Sequence, residues 1–461
     1  MNQNSIEILS STIIKIDTLN SFKLSPNDWI IPSTSTISCI YFYDIQQWSL
    51  YKKQTHDIFM NIEQLKLSLQ KLLEYYPLLT GTLKLFDKDN KVLIEKNNNN
   101  NGILFVSAKI NMLLKELPLS IEKYTDTKII PESLQFINVT NSNTLFHIRH
   151  TRFACGSVAL GITLNHQVAD AHSYFQLIKD WTQLYKNLEY QPNVCHQRSL
   201  LEPTLEEIQL LKNSNLDFNY RRSLYFREEI SSSAQQTKQT IIKIFRFTAD
   251  ELNRMKTDAI THLSSDITYL STFEVLTAHL YQHVMLARNY TTSSISKLYI
   301  STNIRPCLTQ SFIPSTYFGN AILFSYLEMN MLDVIDKNSF SLLASRIHKS
   351  IEENTANNIR TTLAWIICQT DKTKIIPTWN LDEKDFTISA WNKMGIYSNA
   401  EFESNVHPCR VILPQDMKMN GAAILLSTEE NDGSIDVYLG LDINEMKQLE
   451  ENLGFRKYSK K

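Results

Sequence analysis

From Val158 to Asn165 the chain reads VALGITLN, with branched apolar side chains alternating with smaller ones. Beyond it Tyr174, Leu177, Ile178, Trp181, Leu184 and Tyr185 recur at steps of three and four residues. The first spacing is that of a strand with at least one buried face, and the second is that of an amphipathic helix. The pattern therefore predicts a strand handing over to a helix at about Asp170, with His166 and Asp170 at the corner.

The same two periods mark out most of the chain. Ser38 to Tyr43 is aromatic and β-branched, which predicts a strand, and a broad apolar face from Ile62 to Tyr76 predicts a helix closed by Pro77. Thr82 to Phe105 reads as short strands around a polar loop. There the asparagine run 97–101 and Gly102 form a solvated hairpin or loop insertion. Gln135 to Thr151 is strand-like on both sides of Asn141 to Asn143, and its second part is expected to pair with Val158 to Leu164. Thr240 to Phe247 predicts a strand, and Thr248 with Glu251 forms a capping box for a helix through Ala259. A helix over Thr272 to Arg288, a strand over Lys297 to Asn303, and a helix from Ser339 to about Ala356 follow, the last stopped by Asn357 and Asn358. The C-terminal part predicts strands at Phe386–Trp391, Val406–Leu413, Ala422–Ser427 and Ile435–Leu441, with a turn at Asp432–Gly433 and a final helix after Asn444.

A chain of 461 residues exceeds what one core supports, and strands and helices mix in both halves, which predicts two α/β domains. We place them at residues 1–190 and 226–461, joined by a Pro-containing crossover at 191–225, with part of roughly 360–390 packing with the first domain. Hydrophobic residues make up 43% and charged residues 20%, with a formal charge of −2. That balance excludes a disordered or fibrous chain and gives no ground for a nucleic-acid or anionic-membrane partner. Met1 to Leu9 has neither the basic start nor the apolar run of a signal peptide, and no stretch reaches the ~18 apolar residues of a membrane span. The expectation is a cytoplasmic protein. Six scattered cysteines without CxxC spacing point to reduced, mostly buried thiols and to no zinc site or disulfide framework.

A histidine at a strand end is well placed to present one ring nitrogen to a cleft, as a general base must. Asp170 has two readings: it orients the imidazole as in a triad, or it caps the helix and pairs with a cation elsewhere. The HxxxD spacing is itself unspecific in a chain with eleven histidines, where a satisfied core histidine is the commoner outcome. His172 reads as an ordinary surface or edge residue. No serine or cysteine sits in a GxSxG elbow, which argues against a covalent acyl-enzyme.

The segments LKLSLQKLLEYYPLLTG, NHQVADA, FEVLTAHLYQHVMLAR, NIRPC, YFGNA and ISAWNKMGIYSNAEF, in this order, resemble the BAHD acyltransferases, the coenzyme A-dependent HxxxD transferases. The resemblance spans nearly the whole chain, and YFGN about 150 residues after HxxxD is its specific part. It implies two chloramphenicol acetyltransferase-like α/β domains, each a mixed sheet flanked by helices, with the active-site channel between them. It also implies acyl-CoA as co-substrate, a small-molecule alcohol or amine as acceptor, no permanently bound cofactor or metal, and a monomer. His166 would deprotonate the acceptor for direct attack on the thioester. Trp391 would supply an indole N–H to the oxyanion and Ser389 a hydroxyl to the acceptor, because ISAW matches the family's I-T-S-W segment. Asp170 would pair with Arg305, and Tyr317, Gly319 and Asn320 would pack near the site. Tyr41 and Tyr43 are placed, by position, on the acceptor side. The resemblance assigns no residue to coenzyme A.

Two departures stand out. Ala171 replaces the glycine that usually follows HxxxD, a change that suits a helix start. The family's DFGWG motif reads EFESN here, which keeps Phe402, puts Glu401 for the aspartate, and loses both glycines and the tryptophan to Glu403, Ser404 and Asn405. The expectation is an altered coenzyme A access or loop shape without loss of activity. The alternatives are an N-acyltransferase acting on an amine or polyamine, and a non-catalytic ligand-binding member of the fold. A carrier-dependent condensation domain is disfavoured, since Asn165 stands where such domains pair a second histidine.

Overall fold

The computed structural model describes residues 6–16, 21–51, 58–86, 91–95, 102–117, 144–227, 239–261, 263, 267–290, 294–308, 313–414 and 419–459. The asparagine run and the first part of the 135–151 stretch lie outside them. In chain order the first half comprises β1 (Ile6–Ile14), β2 (Phe22–Lys23), α1 (Pro26–Trp29), β3 (Thr36–Tyr43), α2 (Ile45–Tyr51), α3 (Ile62–Tyr75), β4 (Thr82–Phe86), β5 (Lys91–Glu95), β6 (Ile103–Ile110), β7 (Phe146–Phe153), β8 (Val158–Asn165) and α4 (Ala171–Lys186). After α5 (Leu205–Lys212) and α6 (Asn215–Tyr225), the second half runs β9 (Thr240–Phe247), α7 (Ala249–Ile260), α8 (Thr272–Ala287), β10 (Ile295–Asn303), β11 (Ile322–Asn330), α9 (Met331–Ile335), α10 (Phe340–Glu352), α11 (Ala356–Cys368), β12 (Phe386–Ala390), β13 (Arg410–Ile412), β14 (Ala422–Ser427), β15 (Ile435–Asp442) and α12 (Ile443–Glu451).

Two mixed six-stranded sheets result, ordered β1-β6-β7-β8-β3-β13 and β11-β10-β12-β14-β15-β9, with a small sheet β2-β5-β4 beside them. β6 and β7 are parallel, as are β10–β12 and β12–β14, while the other pairs are antiparallel. The expected β7–β8 pairing is present, with His150 opposite Leu160. β8 is a central strand whose first seven residues are all buried, which is why its side chains are apolar or small on both faces.

α3 and α4 pack together over the first core, where Leu65, Leu69, Leu72, Tyr174, Ile178 and Trp181 are fully buried. The second core gathers around α8, whose Leu276, Leu280 and Val284 are likewise inaccessible. The capping box of α7 forms as its sequence predicts: the Thr248 hydroxyl accepts the Glu251 N–H.

Two features depart from the sequence reading. The helix expected to end near Ala356 stops at Glu352, and a separate helix, α11, begins there with Asn357 and Asn358 in its first turn. Asparagine is tolerated at this position because Thr355 caps the turn, its hydroxyl accepting the Asn358 N–H. The strand expected over Val406–Leu413 is only Arg410–Ile412, and it adds to the edge of the first sheet beside β3, so this sheet is completed from the far end of the chain. The six cysteines are free, but only Cys39 is buried; Cys155 is exposed and the rest are intermediate. Among the described residues no helix is long and apolar enough to cross a membrane, and no group of three or more His, Cys, Asp or Glu is gathered as for a metal.

Candidate active site

The corner after β8 is built by backbone hydrogen bonds. Asn165 closes a turn with its carboxamide oxygen on the Gln167 N–H at 2.9 Å, and its amide donates to the Ser33 carbonyl at 2.9 Å. The His166 N–H is held by the Ser35 carbonyl at 2.8 Å. Asp170 then caps α4: its backbone is extended (φ −83°, ψ 177°) and its carboxylate accepts the Ser173 N–H at 2.9 Å.

The same carboxylate takes both guanidinium nitrogens of Arg305, at 2.8 and 3.1 Å, together with the Ala321 N–H at 2.9 Å. Burial works to raise the Asp170 carboxyl, and Arg305 with these N–H groups overcomes it, holding the pKa below the usual carboxylate range. The Asp170 carboxylate is taken up by this cluster, so capping and cation pairing occur together. Arg305 also donates to the carbonyls of Tyr317 and Gly319, at 3.0 and 3.1 Å, and lies over the Tyr317 ring.

The YFGN segment docks on the corner. The Asn320 amide donates to the carbonyls of His166 and Gln167, at 2.9 and 3.1 Å, and to Asp28 Oδ1 at 2.9 Å. Gly319 packs so tightly that a Cβ there would lie 2.9 Å from Arg198 Nη1. A second buried ion pair, Arg198 with Asp28 at 2.5 Å, backs this arrangement, and Arg198 also donates to the Val168 carbonyl at 2.7 Å. Asp28 and Arg198 were missed in the sequence; charges inside the apolar runs SPNDWII and RSLL were the available signal.

His166 is partly exposed, and its open face lies on a cavity of about 540 Å³. Burial lowers the imidazole pKa below its ordinary value, with the Asp170 charge pulling weakly the other way, so the ring is neutral at neutral pH. Ser389 and Trp391, from the end of β12, line the same cavity, so three residues from the two halves converge on it. The Trp391 indole N–H donates to the Ser389 hydroxyl at 3.0 Å, and its ring stands edge-on to Phe175 from α4. The remaining wall is largely apolar, with Ile31, Ile322, Phe324, Ile376 and Trp379 among its residues. No sequence signal marked these. His172, read as an edge residue, also reaches this wall, its Nε2 2.9 Å from the Ser315 carbonyl oxygen.

Tyr41 and Tyr43 are elsewhere. Both are buried within the first sheet, where β13 covers their strand, and the Tyr43 hydroxyl donates to the Ala400 carbonyl at 2.8 Å. The EFESN loop is also off the cavity. Phe402 is inaccessible and edge-on to Trp181 and Tyr185, while Glu403 accepts the Tyr185 hydroxyl at 2.8 Å and the Met60 N–H at 3.0 Å.

The sequence model described as the Transferase family matches residues 4–455. Shikimate O-hydroxycinnamoyltransferase of Nicotiana tabacum is 24% identical over 97% of this chain and 99% of its own length. Hydroxycinnamoyl-CoA:5-hydroxyanthranilate N-hydroxycinnamoyltransferase HHT1 of Avena sativa is 25% identical over 82% of this chain and 83% of its own. Among solved structures, F. graminearum TRI101 complexed with coenzyme A and T-2 mycotoxin is similar with a TM-score of 0.75 and 14% identity, over 95% of this chain and 99% of that one. Vinorine synthase is similar with a TM-score of 0.67 and 18% identity, over 98% of each chain. This chain belongs to that family, the BAHD acyltransferases, and has its fold of two mixed sheets flanked by helices.

Proposed function

We propose that this acyltransferase moves an acyl group from acyl-CoA to a hydroxyl of a small-molecule acceptor, with His166 as general base. The observation that carries the reading is the meeting of His166, Ser389 and Trp391 on one cavity walled by both halves. The coenzyme A in the TRI101 complex supports the choice of donor. The neutral imidazole takes the acceptor's proton as the oxygen attacks the thioester carbonyl. The tetrahedral oxyanion collects the Trp391 N–H, the C–S bond breaks, and the departing thiolate takes the proton back from the imidazolium. Before reaction the indole N–H rests on the Ser389 oxygen; it turns to the new charge as the oxyanion forms, while Ser389 holds the acceptor through its own O–H.

Asp170, Arg305, Tyr317, Gly319 and Asn320 act through the corner's geometry and not on the substrate. Among the described residues on the wall, Asp170 is the one carboxylate, and Arg305 engages it. That favours an alcohol over an amine or polyamine, which would seek free negative charge.

Purified His166→Ala, assayed for thiol release with a panel of acyl-CoA donors and alcohols, should lose about 10²–10⁴-fold in turnover. Undiminished turnover removes the base. A wild-type protein neither stabilised by any coenzyme A thioester nor active with any would instead be a binding member of the fold.

A further inference from the structure

A second, smaller cavity, open to solvent on one side, lies behind β11, the edge strand of the second sheet, bordered by α6, the end of α10 and the first turns of α11. Its volume is about 50 Å³. Since roughly 10–15 Å³ holds one water, the space suits a few waters or a single tetrahedral oxyanion and no larger organic ligand.

Arg221 lines this cavity and is 5% exposed. Among the described residues it joins no ion pair and its Nε has no hydrogen-bond partner; its guanidinium rests on the Tyr220 ring at 4.9 Å. Glu353 stands at the rim, exposed, and makes no ion pair with it. Four residues on, Tyr225 faces the same space. Its oxygen accepts the Phe324 N–H at 3.3 Å, which leaves the phenolic proton without an acceptor among the described residues. Of the other hydroxyls on this space, Ser350 donates to the Ile347 carbonyl and Thr362 to the Asn358 carbonyl, each at 2.8 Å, Ser325 pairs with Thr302 at 2.8 Å, and Tyr220 is 43% exposed to solvent. A buried guanidinium without counter-charge is costly, and here it stands beside an unused O–H donor in an ion-sized space.

We propose that Arg221 and the Tyr225 hydroxyl form a binding site for a phosphate-type oxyanion. The site touches the channel through one residue: Tyr225 holds the backbone of Phe324, whose ring forms part of the channel wall. The oxyanion is either free phosphate or the phosphoryl group of a larger ligand whose remainder lies outside the cavity.

The test uses the full chain, with inorganic phosphate measured by equilibrium dialysis and by thermal unfolding against chloride at equal ionic strength. Phosphate should raise the melting temperature of the wild type, and Arg221→Gln should lose the shift and at least tenfold in affinity. Arg221→Lys should keep part of both, because it retains the charge without the planar fork. Absence of a shift in the wild type, or equal shifts in wild type and Arg221→Gln, overturns the proposal. If the Gln variant does not fold, Tyr225→Phe takes its place, and unchanged phosphate affinity there overturns it. Coenzyme A and its 3′-dephospho form separate the sources. A loss in Arg221→Gln that extends from phosphate to coenzyme A and spares its 3′-dephospho form assigns the oxyanion to the acyl donor, and phosphate binding that persists at saturating coenzyme A assigns it to the free ion. The phosphate measurements stand independently of the acyl-transfer reading.

Discussion

Asp170 and Arg305, 135 residues apart, form a bidentate ion pair in which the carboxylate is 1% and the guanidinium side chain 3% exposed. The pair joins the first turn of α4 to the segment after β10, and so fixes the two halves to each other beside His166. Every oxygen of the carboxylate is engaged at least twice. Such a pair is worth little against an apolar replacement but is costly to break on one side, because a lone buried charge remains.

Asp170→Leu and Arg305→Met should each destabilise the fold by about 3–5 kcal/mol, while the variant carrying both should cost less than the two single losses added. Urea unfolding of the four proteins checks this, and additive losses would contradict the coupling. The lowered Asp170 pKa gives the sign of the pH effect. Its stabilisation is complete above the unfolded carboxyl value of ~3.9 and fades as pH falls through the depressed folded value.

The pH profile of kcat/KM should report His166. As the proposed base, His166 works unprotonated, and burial favours that form, so the acid limb should fall below the ~6.5 of a free imidazole. Activity should be flat from there through neutral pH. An acid limb above that value would mean that the imidazole is stabilised as a cation, against its surroundings here.

Much of this site was legible because it depends on local rules. The change of period at the end of VALGITLN placed the corner, and Asp170 in HxxxD had the character of an N-cap. What was hidden is non-local. Nothing around Arg410–Ile412 tells that this strand completes a sheet nearly four hundred residues upstream. Tyr41 and Tyr43 read as pocket aromatics because burial on both faces of β3 comes from elements far away in sequence. Asp28 and Arg198 are ordinary charges until folding removes their water. Asn357 and Asn358 misled through propensity alone, which a Thr355 cap outweighs.

Trp391→Phe should retain the edge-on contact with Phe175 and lose only the indole N–H. If that donor meets the oxyanion, kcat should fall by about 10²–10³-fold with little change in KM, the loss expected for one oxyanion-hole donor. Steady-state kinetics with saturating acyl donor measure it. A rise in KM with unchanged kcat would instead make Trp391 a binding residue.

The EFESN loop offers a prediction in which stability and activity separate. Asn405 holds φ at +63°, a left-handed conformation that asparagine tolerates and alanine resists. Its N–H donates to the Glu401 carboxylate at 3.1 Å, and the turn closes with the Val406 N–H on the Glu403 carbonyl at 3.0 Å. A positive φ is the conformation that glycine takes at least cost. Asn405→Gly should therefore change stability by no more than about 0.5 kcal/mol, whereas Asn405→Ala should cost about 1–2 kcal/mol. Because the loop is pinned to Tyr185 and Met60 and lies off the cavity wall, both variants should keep wild-type kcat/KM. Loss of activity in Asn405→Ala at a temperature where it is fully folded would show that the loop's shape reaches the channel after all.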